Sequence, residues 1–86
     1  MQKTIYCDDY DNLLQWLKEK RMEGKLTMRQ LAIRLDVHHS WVGRVELGER
    51  RLDVMEFVRY CNALDADPFE GLACLTESII SSTFKK

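Results

Sequence analysis

Five stretches of the chain repeat apolar side chains at the three- and four-residue spacing that lines one face of a helix. Tyr10, Leu13, Leu14 and Leu17 make the first stripe, in a helix expected from about residue 8 or 11 with acids in its first turn and Gly24 as its stop. Thr27 caps a second helix, Gln30 completes a Thr-x-x-Gln capping box, and Met28, Leu31, Ala32 and Leu35 form its core face. The pattern breaks at Asp36-Val37, where Val37 plugs the inside of a sharp turn, and resumes with Val42 and Val45 pointing inward from a third, short helix. Asp53, with Glu56 three residues on, opens a fourth helix whose Val54, Phe57, Val58, Cys61 and Leu64 give the cleanest amphipathic run. Asp67 as cap and Pro68 as first helical residue start a fifth, which carries Phe69, Leu72 and Ala73 toward the core. Residues 1–7 show no clear periodicity and are expected as an irregular arm, residues 8–82 as one domain, and residues 83–86 as a frayed tail.

The two short helices between residues 27 and 47 differ from the rest. Only Val42 and Val45 of the third helix face inward, while His39, Ser40, Gly43 and Arg44 lie three to four residues apart and share an outward face. Leu26-Thr27, Gln30-Leu31-Ala32, Leu35, Val37, Ser40, Val42, Arg44-Val45-Glu46 and Gly48 resemble the helix-turn-helix of the Cro/C1 repressor family, also called the xenobiotic-response-element type. The resemblance covers residues 21–72 and implies an all-α, compact five-helix lambda-repressor-like domain that binds double-stranded DNA and regulates transcription without being an enzyme. It also implies that Arg21 pairs with Glu46 and locks the first helix to the third; the alternative is that both are surface charges. The family's last helix often forms a two-fold dimer interface, which maps onto Leu72, Leu75, Ile79 and Ile80. An apolar surplus there fits a partner surface; the alternative is a tail folded over the core against Trp16.

Charge first argues against a phosphate-rich partner, because the chain carries a net −1. Its distribution reverses that reading. Residues 17–51 hold nine Lys/Arg against five acids, whereas residues 1–16 carry −2 and residues 52–86 carry −3. The basic excess therefore coincides with the paired short helices. No apolar run of about 18 residues and no basic start followed by an apolar stretch is present, so the chain reads as cytoplasmic. The three cysteines, Cys7, Cys61 and Cys74, are odd in number and contain no Cys-x-x-Cys pair, which argues against a disulfide framework or a zinc site.

A helix fits the major groove, and the side chains that read base edges project from its exposed, N-terminal face. That selects His38, His39, Ser40, Gly43 and Arg44 as base contacts, with Arg44 first because a guanidinium donates two parallel hydrogen bonds to guanine. Gly43, which costs about 1 kcal/mol mid-helix relative to Ala, either permits close approach to a base or is simply tolerated. Phosphate contacts fall to Lys25, Thr27, Arg29, Arg34, Arg50 and Arg51 around the rim, with Trp41 either bracing the turn or lying on the sugars. Two positions depart from the family: Met28 stands where Gln is frequent, and His38 where a small Ser or Thr usually caps the reading helix. The His38-His39 pair is not a metal site, since adjacent helical residues point about 100° apart and no third ligand follows at the right spacing. No cofactor is implied. Histidines beside a groove imply a pH dependence of binding between about pH 6 and 8. The competing function is a protein-interaction module, an antitoxin or anti-repressor, that keeps this fold but uses its acidic and apolar tail to hold a protein partner.

Overall fold

The computed structural model describes the backbone of residues 2–84 and the side chains of residues 9–76. Five helices follow in order: α1 (Gln2–Glu23), α2 (Met28–Leu35), α3 (His39–Glu46), α4 (Val54–Ala63) and α5 (Pro68–Phe84). Among the described residues, no helix is long and apolar enough to cross a membrane.

Each start and stop has a local cause. Thr27 accepts the Gln30 backbone N–H at 3.1 Å while the Gln30 Oε1 accepts the Thr27 N–H at 2.8 Å, so the expected capping box forms. Asp53 and Glu56 repeat it at α4, at 2.7 and 2.9 Å. At α5 the Asp67 Oδ1 accepts the Phe69 N–H at 3.0 Å, and Pro68 loses nothing by lacking a donor in the first turn. α1 stops at Glu23, but the left-handed residue that follows is Lys25 (φ 58°), not Gly24.

The termini depart from the sequence reading. α1 begins at Gln2, so residues 2–7 are helix and not an irregular arm. No Gly or Pro interrupts them, and extending a helix already nucleated by the Leu13-Leu14-Leu17 turn costs far less than starting one. α5 likewise runs through residues 83 and 84, past the expected fraying point.

Leu13, Leu14 and Leu17 of α1 meet Leu31 and Ala32 of α2, Val42 and Val45 of α3, and Phe57, Tyr60 and Cys61 of α4, closed by Leu64. Several expected core residues lie outside this cluster. On α4 the buried stripe is Phe57, Tyr60, Cys61 and Leu64; Val58, about 100° around the helix from Phe57, is 40% exposed and Val54 79% exposed. On α5 the inward residue is Gly71, whose added Cβ would stand 2.6 Å from the Trp16 ring. Phe69 sits about 200° away from it and is 78% exposed. Trp16 thus covers the core by lying against α5, and Leu75 packs on the same core. Gly48 closes the turn after α3 with φ +80°, a conformation that only glycine adopts freely.

Candidate nucleic-acid interface

α2 and α3 are joined by a turn built on Asp36, which takes the left-handed conformation (φ 59°) and gives its N–H to the end of α2. The Val37 N–H donates to the Ala32 carbonyl at 3.0 Å, and the Val37 side chain plugs the turn from inside. Val42 and Val45 are fully buried, which fixes the rotation of α3 and turns Ser40 and Arg44 to solvent, with His39 and Gly43 half-buried beside them.

His38 is the N-cap of α3. Its Nδ1 accepts the Ser40 backbone N–H at 3.1 Å and lies 2.9 Å from the Ser40 Oγ. A ring nitrogen that accepts is unprotonated, so Nε2–H remains as the donor that His38 can offer a ligand. The imidazole does the capping work of the small Ser or Thr usual at this place. Its ring stacks on His39 with centroids 4.4 Å apart. Desolvation, then Arg29 and then His38, hold the His39 imidazole below its ordinary pKa, which favours its neutral form.

Arg44 makes no hydrogen bond or ion pair among the described residues, which leaves its whole guanidinium available. Gly43 faces the start of α2, where a Cβ would meet only the Met28 sulfur at 3.9 Å. Met28 is therefore not core: it is 39% exposed and lies beside the outward face of α3.

The rim cations divide in two. Lys25 and Arg29 are exposed, with no hydrogen bond or ion pair from their side chains, and Thr27 sits at the N-terminus of α2. Arg34 is turned back on α4, donating to the Ala63 carbonyl at 2.7 Å with the Asp65 carboxylate at 3.8 Å. Arg50 forms a two-pronged pair with Glu56, Nη2 to Oε2 at 2.6 Å and Nη1 to Oε1 at 3.3 Å, and lies 5.5 Å over the Trp41 ring. Arg51 lies 4.6 Å over the Tyr10 ring, and the Tyr10 hydroxyl accepts the Leu52 N–H at 3.3 Å. Trp41 is half-buried between Arg50 and Tyr60, whose ring centroid is 6.2 Å away, and so braces the back of α3. Sequence reasoning missed these tethers. The Asp53-x-x-Glu56 box was legible, but no periodicity announces that the same carboxylate reaches back six residues to Arg50.

Behind the surface, Arg21 donates from Nε to the Glu46 Oε2 at 2.6 Å, from Nη2 to Oε1 at 3.2 Å, and from Nη1 to the Leu26 carbonyl at 2.8 Å. One guanidinium thus ties α1, the end of α3 and the loop entering α2. Leu72 is 41% exposed and Leu75 half-buried. They share an apolar groove of about 240 Å³ with Tyr10, Leu52, Phe57 and Val58; Ile79 and Ile80 lie outside the described side chains. Among the described residues, no three His, Cys, Asp or Glu side chains gather closely enough to hold a metal ion.

A family model described as a helix-turn-helix domain matches residues 12–70. Among solved structures, the chain is similar to an XRE-family like protein from Pseudomonas syringae pv. tomato str. DC3000. Identity is 39% and the TM-score 0.82, over 88% of this chain and 93% of that one. Comparison with curated protein sequences gave no match.

Proposed function

Because this chain belongs to the XRE-type helix-turn-helix family, and is on that ground a DNA-binding transcription regulator, we propose that it is a cytoplasmic homodimeric repressor of a palindromic operator. α3 enters the major groove, with Arg44 on a guanine edge and His38, His39, Ser40 and the backbone at Gly43 on neighbouring bases. The observation that carries this reading is the contrast between Arg44 and its neighbours: Arg34, Arg50 and Arg51 each engage a group of the protein, while Arg44 on α3 has no hydrogen-bond or ion-pair partner among the described residues. Lys25, Thr27 and Arg29 supply phosphate contacts at the N-terminal end of α2, where backbone N–H groups favour an anion. Two copies meet through Leu72 and Leu75, continued by Ile79 and Ile80, and place two reading helices about one turn of DNA, roughly 34 Å, apart. The apolar side chains left uncovered on that side, Val54, Val58 and Leu72, support a partner there. Regulation is by occupancy of a promoter, without a catalysed reaction.

The same apolar face supports the competing reading, a protein-interaction module of the antitoxin or anti-repressor kind. Selection of random duplex DNA by the purified protein at about 0.15 M salt separates the two, because phosphate contacts alone enrich no sequence. Enrichment of an inverted repeat supports the repressor; binding without enrichment, or none, supports the protein partner.

A further inference from the structure

Glu56 does two things with one carboxylate. Its Oε1 accepts the Asp53 N–H at 2.9 Å and so caps α4, while the same oxygen and Oε2 clamp the Arg50 guanidinium. Arg50 is held on further sides: Nη1 donates to the Arg51 carbonyl, and the guanidinium lies over Trp41 of α3. Its backbone is tied to the reading surface as well, since the Glu49 and Arg50 N–H groups both donate to the Arg44 carbonyl, at 2.9 and 3.2 Å. The backbone that carries this cation is thus joined to the last turn of the reading helix, and the charge of the guanidinium is matched by a carboxylate.

Cap formation does not require that charge. In α2 the neutral Gln30 completes the same box at Thr27, with both hydrogen bonds formed at 2.8 and 3.1 Å. A glutamate at residue 56 adds only what a glutamine lacks: a negative charge against Arg50. A phosphate approaching Arg50 must displace a charge-assisted two-pronged bond and stand beside that carboxylate.

We propose that Glu56 is a specificity-determining residue: it withholds Arg50 from DNA phosphates, lowering affinity for every duplex alike and leaving base contacts to decide which sequence is held. The proposal rests on the DNA-binding reading. Phosphate neutralisation supplies nearly all of non-specific affinity, and each cation engaged steepens the fall of log K with log salt by about 0.9. Arg50 held by Glu56 contributes none of that slope; Arg50 released contributes one full increment.

The test is the salt dependence of binding to a random-sequence duplex of about 20 base pairs, for the wild-type chain, Arg50→Ala, Glu56→Gln and the double variant, with each variant's fold checked by circular dichroism. Arg50→Ala is expected to keep the wild-type slope. Glu56→Gln is expected to steepen it by about 0.9 and to raise affinity several-fold, and adding Arg50→Ala to Glu56→Gln should return the slope to that of wild type. A slope already flattened by about 0.9 in Arg50→Ala overturns the proposal, and this arm suffices even if Glu56→Gln does not fold. A folded Glu56→Gln with an unchanged slope overturns it too. If the wild-type chain binds no duplex at any salt, the DNA-binding reading falls and takes the proposal with it; wild-type binding with the wrong slopes removes the proposal alone.

Discussion

Arg21 in α1 and Glu46, the last residue of α3, meet through two charge-assisted hydrogen bonds at 2.6 and 3.2 Å, with side chains only 11% and 8% exposed. A pair this sheltered contributes little relative to a well-packed apolar pair, yet removing one partner strands the other in a low-dielectric site. Arg21→Met leaves the Glu46 carboxylate without its donors and the Leu26 carbonyl without the Nη1 contact. Thermal or urea unfolding of that variant is expected to show a loss of about 3 to 5 kcal/mol. Changing both residues together, Arg21→Met with Glu46→Leu, should recover much of it. A single-variant loss below about 1 kcal/mol would mark the pair as an ordinary surface contact.

Gly71 and Trp16 form a close joint between α1 and α5. A Cβ at residue 71 would lie 2.6 Å from one ring carbon of Trp16 and 3.0 Å from two others, and Lys20 lies 5.7 Å over the same ring. Overpacking of this kind costs about 1 to 3 kcal/mol, so Gly71→Ala should lower the unfolding midpoint although alanine is the better helix former. Native tryptophan fluorescence should shift as the indole moves. A midpoint raised by the substitution would show that the two helices do not approach so closely.

Much of the architecture was legible because it depends on short-range chemistry. Both capping boxes, Pro68 at the head of α5, Val37 in the turn and the Leu13-Leu14-Leu17 stripe are set by residues close to one another in the chain. The ends of α1 and α5 were not, since propagation from a nucleated helix leaves no local mark at residues 2–7 or 83–84. Nor was the outward placement of Phe69, Val54 and Val58: a window of apolar residues wider than one stripe does not say which edge faces the core until a neighbour is docked. At the surface, the exposed face of α3 follows from the burial of Val42 and Val45, which the spacing contains. Which arginines are available does not follow, because Arg34, Arg50 and Arg51 are taken by partners 29, 6 and 41 residues away.

Tyr60 is almost wholly buried, and its hydroxyl finds no partner among the described residues. Burial, and then the Glu46 carboxylate, push the phenol far above its ordinary pKa, so it stays neutral at any working pH. A buried donor left unmade costs about 1 to 3 kcal/mol. Tyr60→Phe keeps the ring against Trp41 and should leave stability unchanged or raise it by about 1 kcal/mol. A clear drop in unfolding free energy would mean that the hydroxyl is bonded after all.

Acidification should loosen the start of α3. The folded chain holds the His39 proton less tightly than the unfolded chain does, so in the range below the ordinary value of 6.5 the unfolded state binds more protons. The contribution to stability is therefore full above that range and declines as pH falls through it. The unfolding midpoint is expected to hold steady above about pH 7 and to fall as the pH drops below 6.5, and to fall less in His39→Gln. A midpoint independent of pH in the wild-type chain would contradict this account.

Whether α3 reads bases through Arg44 is decided by comparing wild type with Arg44→Ala on the enriched duplex and on a random duplex at one salt concentration. Arg44 has no partner within the described fold, so its removal should leave the unfolding midpoint unchanged. Loss of a two-pronged guanine contact is expected to weaken specific binding by about 1 to 3 kcal/mol per half-site while random-duplex affinity falls far less. Equal weakening on both duplexes would make Arg44 a phosphate contact, and an unchanged affinity on the enriched duplex would remove α3 as the reading helix.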